Sequence, residues 1–369
     1  MVTDTDFILA TTEHVRSAAA SGTTLRIRGG GSKDFYAQAL EGELLDTSPL
    51  NGVVSYEPSE LVVTALAGTP LAELEALLAA QGQCLAFEPP HFSPNSTVGG
   101  MVAAGLSGPA RASVGAVRDF VLGVKLINGK GEHLTFGGQV MKNVAGYDVS
   151  RLMVGAMGTL GLLTEVSLKV LPIAPLEATL KFEMTQSQAL EKLNTWGGQP
   201  LPLNASCWLE DGGAGTLYLR LRGAVAAVEL ACSKLGGERM SQAQAAADWQ
   251  LCRDQQLPWF KDRDDSQDLW RLSVPQTTPV LDLPDSPLIE WHGGQRWVLA
   301  DESHGAQLRA LVENAGGHAT LFIAAAARKQ VATVRFDTLK SPLDRIHREL
   351  KREFDPSGVF NPRRMYADW

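Results

Sequence analysis

The sequence predicts an α+β protein with a strand-rich first half and a compositionally different second part. Three observations carry this. Short strand-like runs dominate as far as residue 172, and the glycine-rich turns among them do not recur in the strand–helix–strand units of a doubly wound sheet. Pro172 and Pro175 mark a boundary. Beyond it the chain turns to alanine-rich helical stretches, and six of its eight tryptophans (Trp196, Trp208, Trp249, Trp270, Trp291 and Trp297) lie there. The 369 residues suffice for two or three domains. We divide them into a first domain over 1–172, a second, α+β domain over 173–335 and a closing segment over 336–369.

Residues 7–20 carry a helical pattern, and Thr24–Ile27 reads as a short strand. Val53–Tyr56 and Leu61–Leu66 read as strands separated by Glu57-Pro58-Ser59. Thr69-Pro70 offers an N-cap followed by proline at the first helical position. Leu71, Leu74, Leu77 and Leu78 then share one face of a helix over 71–80. Met101–Leu106 is a small-residue helical turn. Phe120–Ile127 and Glu132–Phe136 flank the hairpin chemistry of Asn128-Gly129-Lys130-Gly131. Leu162–Leu171 alternates apolar and polar residues and ends at Pro172. In the second part Val225–Leu235 and Gln242–Cys252 read as helices, Lys261–Asp268 as a charged loop and Leu272–Leu288 as proline-studded strands. Leu343–Phe354 is an amphipathic helix ending at Asp355-Pro356, and no internal repeat or low-complexity tail is present.

Three glycine-rich stretches carry the chemistry. Arg28-Gly29-Gly30-Gly31-Ser32-Lys33 sets successive backbone amides beside a hydroxyl and an ammonium, a donor set suited to a diphosphate; its bland alternative is a tight turn with a solvated lysine. In Pro94-Asn95-Ser96-Thr97-Val98-Gly99-Gly100, Ser96 and Thr97 offer hydroxyls. Gly99 and Gly100 admit close backbone approach, and small residues continue through Gly105. The third stretch, Gly155 to Gly161, has the spacing G-x-x-G-x-x-G and precedes a strand, whereas a nicotinamide-dinucleotide fingerprint needs G-x-G-x-x-G followed by a helix. Lys142-Asn143-Val144-Ala145-Gly146-Tyr147-Asp148 fits neither strand nor helix periodicity, and Lys142 is positioned to bring positive charge near an electron-rich ring; a surface turn is the alternative.

A net charge of −8 argues against nucleic acid or an anionic membrane as the main partner. Met1 to Asp6 lacks the order of a signal peptide, and no apolar run approaches the roughly 20 residues of a membrane span. Cys84, Cys207, Cys232 and Cys252 are scattered, so neither a disulfide framework nor a cluster or zinc site is expected from this chain alone. The seven histidines (His14, His91, His133, His292, His304, His318 and His347) show no paired spacing for a metal. A cytoplasmic protein with reduced cysteines is the expectation, any membrane association running through partners.

RGGGSK (28–33), STVGG (96–100), VRDFVLGVKLINGKGE (117–132), KNVAGYD (142–148) and GTLGLLTEVSLKVLP (158–172) together resemble the flavin-binding domain of the vanillyl-alcohol-oxidase type, the PCMH fold. The run from Phe354 to Pro362 resembles that family's closing segment. KNVAGYD and the short middle domain are most similar to the FAD-binding E subunits of bacterial glycolate oxidases. The resemblance is firm over the first half and the last thirty residues, and loose between.

The resemblance implies FAD stretched between two α+β subdomains, its diphosphate on the first two loops. Gly158, Thr159, Gly161, Leu162 and Leu163 would lie along the cofactor, Asn361 near the isoalloxazine, and the middle domain would be a substrate-side cap. Relatives that attach FAD covalently use a histidine in the first loop, where this chain has Gly29, Gly30 and Gly31, so non-covalent FAD is expected. Relatives that oxidise α-hydroxy acids carry an H-x-G-D-G-N-x-H segment that is missing here. His292 is the one histidine in a suggestive setting, and Arg271 is the candidate partner for a substrate carboxylate. The implied role is the FAD-binding subunit of a multi-subunit oxidase or dehydrogenase acting on a small 2-hydroxy acid, glycolate. Its partners would be a sister flavoprotein and an iron–sulfur subunit. A non-catalytic scaffold with the same fold is the alternative, and a nicotinamide-dependent dehydrogenase ranks last.

Overall fold

The computed structural model describes residues 3–38, 40–138, 148–211, 214–326 and 334–368. The chain divides into two compact units, one made of 1–106, 116–173 and 338–369, the other of 107–115 and 174–337. The short run 107–115, assigned above to the first domain, belongs with the second unit. There the Trp291 indole N–H donates to the Gly108 carbonyl at 3.0 Å, and the Arg111 guanidinium lies 4.4 Å from the Trp291 ring centre. Both contacts span more than 170 positions of sequence, beyond the reach of any local pattern.

The first unit opens with helix α1 (Asp4–Ser21), which begins in a Thr3–Asp6 capping box and ends at Gly22 in the left-handed region. Strands β1 (Leu25–Arg28) and β2 (Glu43–Asp46) pair in parallel. A mixed core follows: β3 (Val53–Glu57), β4 (Val62–Leu66), α2 (Leu71–Ala80), α3 (Val98–Ala104), β5 (Val121–Ile127), β6 (His133–Gly137) and β7 (Leu162–Lys169). Its strands form an antiparallel sheet in the order β3-β4-β7-β5-β6. Helix α2 has the expected bounds, but its cap differs. Pro70 is the N-cap residue, and Thr69 Oγ1 is drawn instead to Gly52, whose N–H and C=O both lie 3.0 Å away.

The second unit is built on β8 (Leu176–Glu183), α4 (Gln186–Gly197), β9 (Leu203–Asp211), β10 (Ala214–Gly223), α5 (Val225–Leu235), β11 (Glu238–Arg239), α6 (Gln242–Arg253), β12 (Asp268–Ser273), β13 (Leu288–Glu290), β14 (Gln295–Ala300), α7 (Gly305–Asn314) and β15 (His318–Ile323). The strands make one antiparallel sheet, ordered β11-β8-β10-β9-β13-β14-β12-β15. Alternation divides its faces. Leu180, Trp208, Leu217, Leu219 and Leu221 pack under α4 and α5, and Trp270, Leu272, Val298 and Leu321 under α7. The opposite face carries Thr179, Cys207, Tyr218 and Arg220, and α6 packs there. Strand is absent from 274 to 287, contrary to expectation, because Pro275, Pro279, Pro284 and Pro287 cannot donate to a ladder. Carbonyls of Thr278 and Pro279 are instead taken by the fully buried Arg296 guanidinium. Asp268, assigned to the charged loop, begins β12; its buried carboxylate accepts the Ala325 N–H at 2.8 Å.

Helix α8 (Leu343–Phe354) closes the first unit with the expected bounds. The segment after it returns to β1: Leu25 N–H donates to Val359 O at 2.7 Å, and Asn361 N–H to Leu25 O at 2.9 Å. The buried Lys351 ammonium fastens this return, donating to Asp355 Oδ2 (2.6 Å), Thr159 O (2.7 Å) and Phe360 O (3.0 Å). Asp355 in turn accepts the Val359 and Phe360 amides at 2.9 and 2.8 Å. Breaking a buried pair strands the other charge, so Lys351→Met is expected to cost about 3–5 kcal/mol in a urea unfolding experiment. A midpoint equal to that of the parent would show that the pair fastens nothing.

Candidate functional site

The three glycine-rich stretches meet in the first unit. A Cβ on Gly30 would overlap the Asn95 carbonyl, and one on Gly29 would strike Thr97 Oγ1, so the first two loops touch backbone to backbone. Gly99 sits against Ala67, where an added Cβ would lie 2.9 Å from the carbonyl oxygen. In the third stretch Gly158 takes φ +73°, and an added Cβ would lie 2.6 Å from Asn361 Nδ2. Asn361 joins the pieces. Its Oδ1 accepts the Ile27 N–H at 2.8 Å, and its Nδ2 donates to Met157 O at 2.6 Å.

Between these segments run two adjoining hollows of about 530 and 540 Å³ that share Ile27, Gly29, Gly100, Ala103, Met157 and Asn361. One end is polar and bordered by Arg28, Gly29, Gly30, Gly31, Ser32, Lys33, Thr97 and Arg364. The other is apolar and bordered by Ala67, Met153, Ala156, Leu160 and Leu163, with Gly99, Gly158 and Gly161 in its wall. A groove graded from backbone donors and cations to aliphatic surface suits a ligand that joins a diphosphate to a flat ring.

Its electrostatics point the same way. The Lys33 ammonium is buried; among the described residues it meets only Ser32 Oγ at 3.3 Å and the Phe92 ring, 5.7 Å to the centre. Burial pushes its pKa down to about 8. Arg28 is paired with Asp34 at 2.8 Å, and the Arg364 guanidinium braces the loop by donating to the carbonyls of Lys33, Asp34 and Gln38. Lys33 is thus a buried cation on the border of the polar hollow, which Asp34 also borders.

Several expected residues stand behind the groove rather than along it. Thr97 Oγ1 caps α3, accepting the Gly100 N–H at 3.2 Å, and Ser96 Oγ donates to Ser93 O at 3.0 Å. The Ser96 hydroxyl is spent on its own turn, whereas Thr97, whose oxygen caps α3, still borders the polar hollow. Pro94 and Asn95 shape that turn, and Asn95 backs Gly30. Gly105 ends α3 at φ +64°. Thr159 and Leu162 are buried; Thr159 Oγ1 donates to Ala156 O at 2.7 Å. Lys142 lies outside the described residues. Pattern reading missed Ile27, Thr47, Ala67, Ala103, Met153 and Met157, all in the groove wall, and Arg364. Ala103 and Met157 had a local signal, Ala103 in the small-residue run after Gly100 and Met157 between glycines, where it takes φ +52°.

Both candidate catalytic residues lie in the second unit. Arg271, on β12, stacks 5.8 Å from the centre of the Phe322 ring. His292 adopts φ +55°, and its ring nitrogens lie 3.1 Å from Ser206 Oγ and 3.1 Å from Ser113 Oγ. Its backbone N–H also donates to Ser206 Oγ, at 3.0 Å, and burial pushes the imidazole down to about 4. At neutral pH the ring is an uncharged link between two hydroxyls, a weak proton acceptor.

Residues 10–137 match the family described as "FAD binding domain". The chain is 45% identical to glycolate oxidase subunit GlcE of Escherichia coli over 368 residues, covering all of both chains. It is 32% identical to glycolate oxidase subunit GlcD of Bacillus subtilis over 132 residues, 36% of this chain and 28% of that one. The solved structure of alkyldihydroxyacetonephosphate synthase superposes on 95% of this chain and 74% of its own, with a TM-score of 0.65 at 17% identity, which shows a shared α+β fold. The chain belongs to the family of the glycolate oxidase subunit GlcE and is an FAD-linked oxidoreductase with an FAD binding domain.

Proposed function

We propose that this chain is the subunit that holds one FAD, without a covalent bond, in a glycolate-oxidising complex that also contains a sister flavoprotein and an iron–sulfur subunit. The observation that carries the reading is the graded groove with a lone buried ammonium at its polar end. In this reading Gly29 to Ser32 direct amides at the diphosphate, Lys33 neutralises it, and Ile27, Ala67, Met153 and Leu163 exclude water from the ring. FAD, when bound, supplies the two-electron redox chemistry, and the protein orients and tunes it. Among the described residues, those bordering the groove include no histidine, cysteine or tyrosine, which supports non-covalent retention. No described helix is long and apolar enough to cross a membrane. As part of the same reading we place the complex in the cytoplasm, with any membrane attachment running through a partner. The second unit would serve the substrate side, with Arg271 as its candidate carboxylate partner.

A second reading, a flavin-fold scaffold without chemistry of its own, is favoured by the state of His292, whose pKa of about 4 and two serine contacts leave it poorly suited to proton transfer. The visible spectrum of the purified chain separates the readings. A flavin band that bleaches anaerobically with glycolate supports the first with catalysis in this subunit. A band that stays oxidised until the partners are added assigns substrate oxidation to the sister subunit. A colourless chain that takes up no added FAD sinks the cofactor assignment.

Gly100 gives the cleanest mutational test, because an added Cβ would meet only Thr97 Oγ1, at 3.1 Å, before entering the groove. Gly100→Leu should weaken FAD binding about tenfold to a hundredfold while far-UV circular dichroism stays that of the parent. Undiminished flavin content would mean that the groove is misassigned.

Lys33 makes affinity depend on pH. Its folded pKa of about 8 lies below the unfolded value of 10.5, so flavin-free protein gains stability as pH rises between them, where the unfolded chain binds more protons. Attraction for a diphosphate runs the other way and is lost as pH climbs past 8. FAD should therefore bind most tightly below pH 8 and more weakly above it, and Lys33→Met should weaken binding about tenfold and flatten the profile. Fluorescence titration of the flavin-free protein across that range reads both effects; a slope kept in the variant would exclude Lys33 as its source.

A further inference from the structure

A hollow in the second unit has no part in the groove. It lies between the sheet and α6, measures about 1050 Å³ including its open mouth, and is bordered wholly by residues of that unit. Tyr218, Trp249 and Trp259 supply aromatic wall, while Glu210, Asp248 and Asp262 supply three carboxylates; among the described residues no lysine, arginine or histidine borders it. Two of its groups are fixed in place. The Trp249 indole N–H donates to Thr179 Oγ1 at 2.9 Å, and Asp248 accepts from Gln244 Nε2 at 2.8 Å.

Among the described residues, the neighbouring cations Arg220, Arg253 and Lys181 do not border the hollow. Arg220 lies over the Trp249 ring, 4.8 Å from its centre, and donates to Asn204 Oδ1 at 2.7 Å, buried beneath the wall. Arg253 pairs with Asp254 at 2.8 Å. Lys181 stands opposite Glu238 and Tyr218 in the strand register. Carboxylates around aromatic faces attract cations and repel anions, since the π-face and the carboxylate are both negative. An aromatic-walled hollow of this size also rewards an apolar body.

We propose that this hollow is a binding site for a small amphipathic organic cation, an apolar body bearing an ammonium or guanidinium head, with the body on Trp249, Trp259 and Tyr218 and the head among Glu210, Asp248 and Asp262. The site stands apart from the FAD assignment and does not rest on it.

The test uses the full-length chain as purified, with phenethylammonium as the probe and phenethyl alcohol and phenylacetate as its neutral and anionic counterparts, in calorimetry at low ionic strength. Phenethylammonium should bind saturably at one site and at least about tenfold more tightly than the alcohol, and phenylacetate should not bind. Asp248→Asn and Trp259→Ala, both at partly exposed positions, should each weaken the cation about tenfold with an unchanged circular dichroism spectrum. Equal affinity for amine and alcohol would make the hollow a packing gap without charge selectivity and overturn the proposal. So would the absence of saturable amine binding, or undiminished binding in both variants. The comparison among the probes needs no variant, so a substitution that fails to fold does not rescue the idea.

Discussion

The groove depends on one buried asparagine. Asn361 reaches β1 through Ile27 and the third glycine-rich stretch through Met157, while its own N–H extends the pairing with Leu25. It does this at φ +42°, a left-handed conformation that asparagine tolerates better than most residues with a side chain. Behind it, the Lys351–Asp355 pair holds the carbonyls and amides of the same return segment. A wall of the site is therefore built by a segment more than 300 positions from the strand it completes. The site forms only when both ends of the chain have been brought together.

Glycine acts here mainly by removing bulk. Gly29, Gly30 and Gly99 are sites where a methyl group would collide with Thr97, Asn95 or Ala67, so these residues set how closely the loops pack. Gly100 differs, because its missing side chain leaves room on the groove side. The two roles look identical in sequence, since both appear as glycine beside small residues. The same limit applies to Ser96, whose hydroxyl a pattern offers to a ligand but which donates within its own turn.

Elements governed by local chemistry were legible. Helices α2, α5 and α8 carry their hydrophobic spacing and stop signals within their own windows, and their bounds coincide with those read from the residues. Residues of all three glycine stretches border the two adjoining hollows. What escaped was non-local. Residues 107–115 fall inside the first domain as divided from the sequence but are held by Trp291. Ala67, Met153 and Arg364 border the groove only because distant strands and the closing segment place them there. His292 looked like a lone candidate base, and nothing near it in sequence reveals that Ser113 and Ser206 flank its ring.

The most direct measurement concerns stoichiometry and attachment. Under the proposed non-covalent reading, acid precipitation of the purified, flavin-saturated chain should leave one FAD per polypeptide in the supernatant and a colourless pellet. Flavin retained in the pellet would reveal a covalent bond that this groove does not explain, and a chain that binds no flavin at any concentration would contradict the account at its centre.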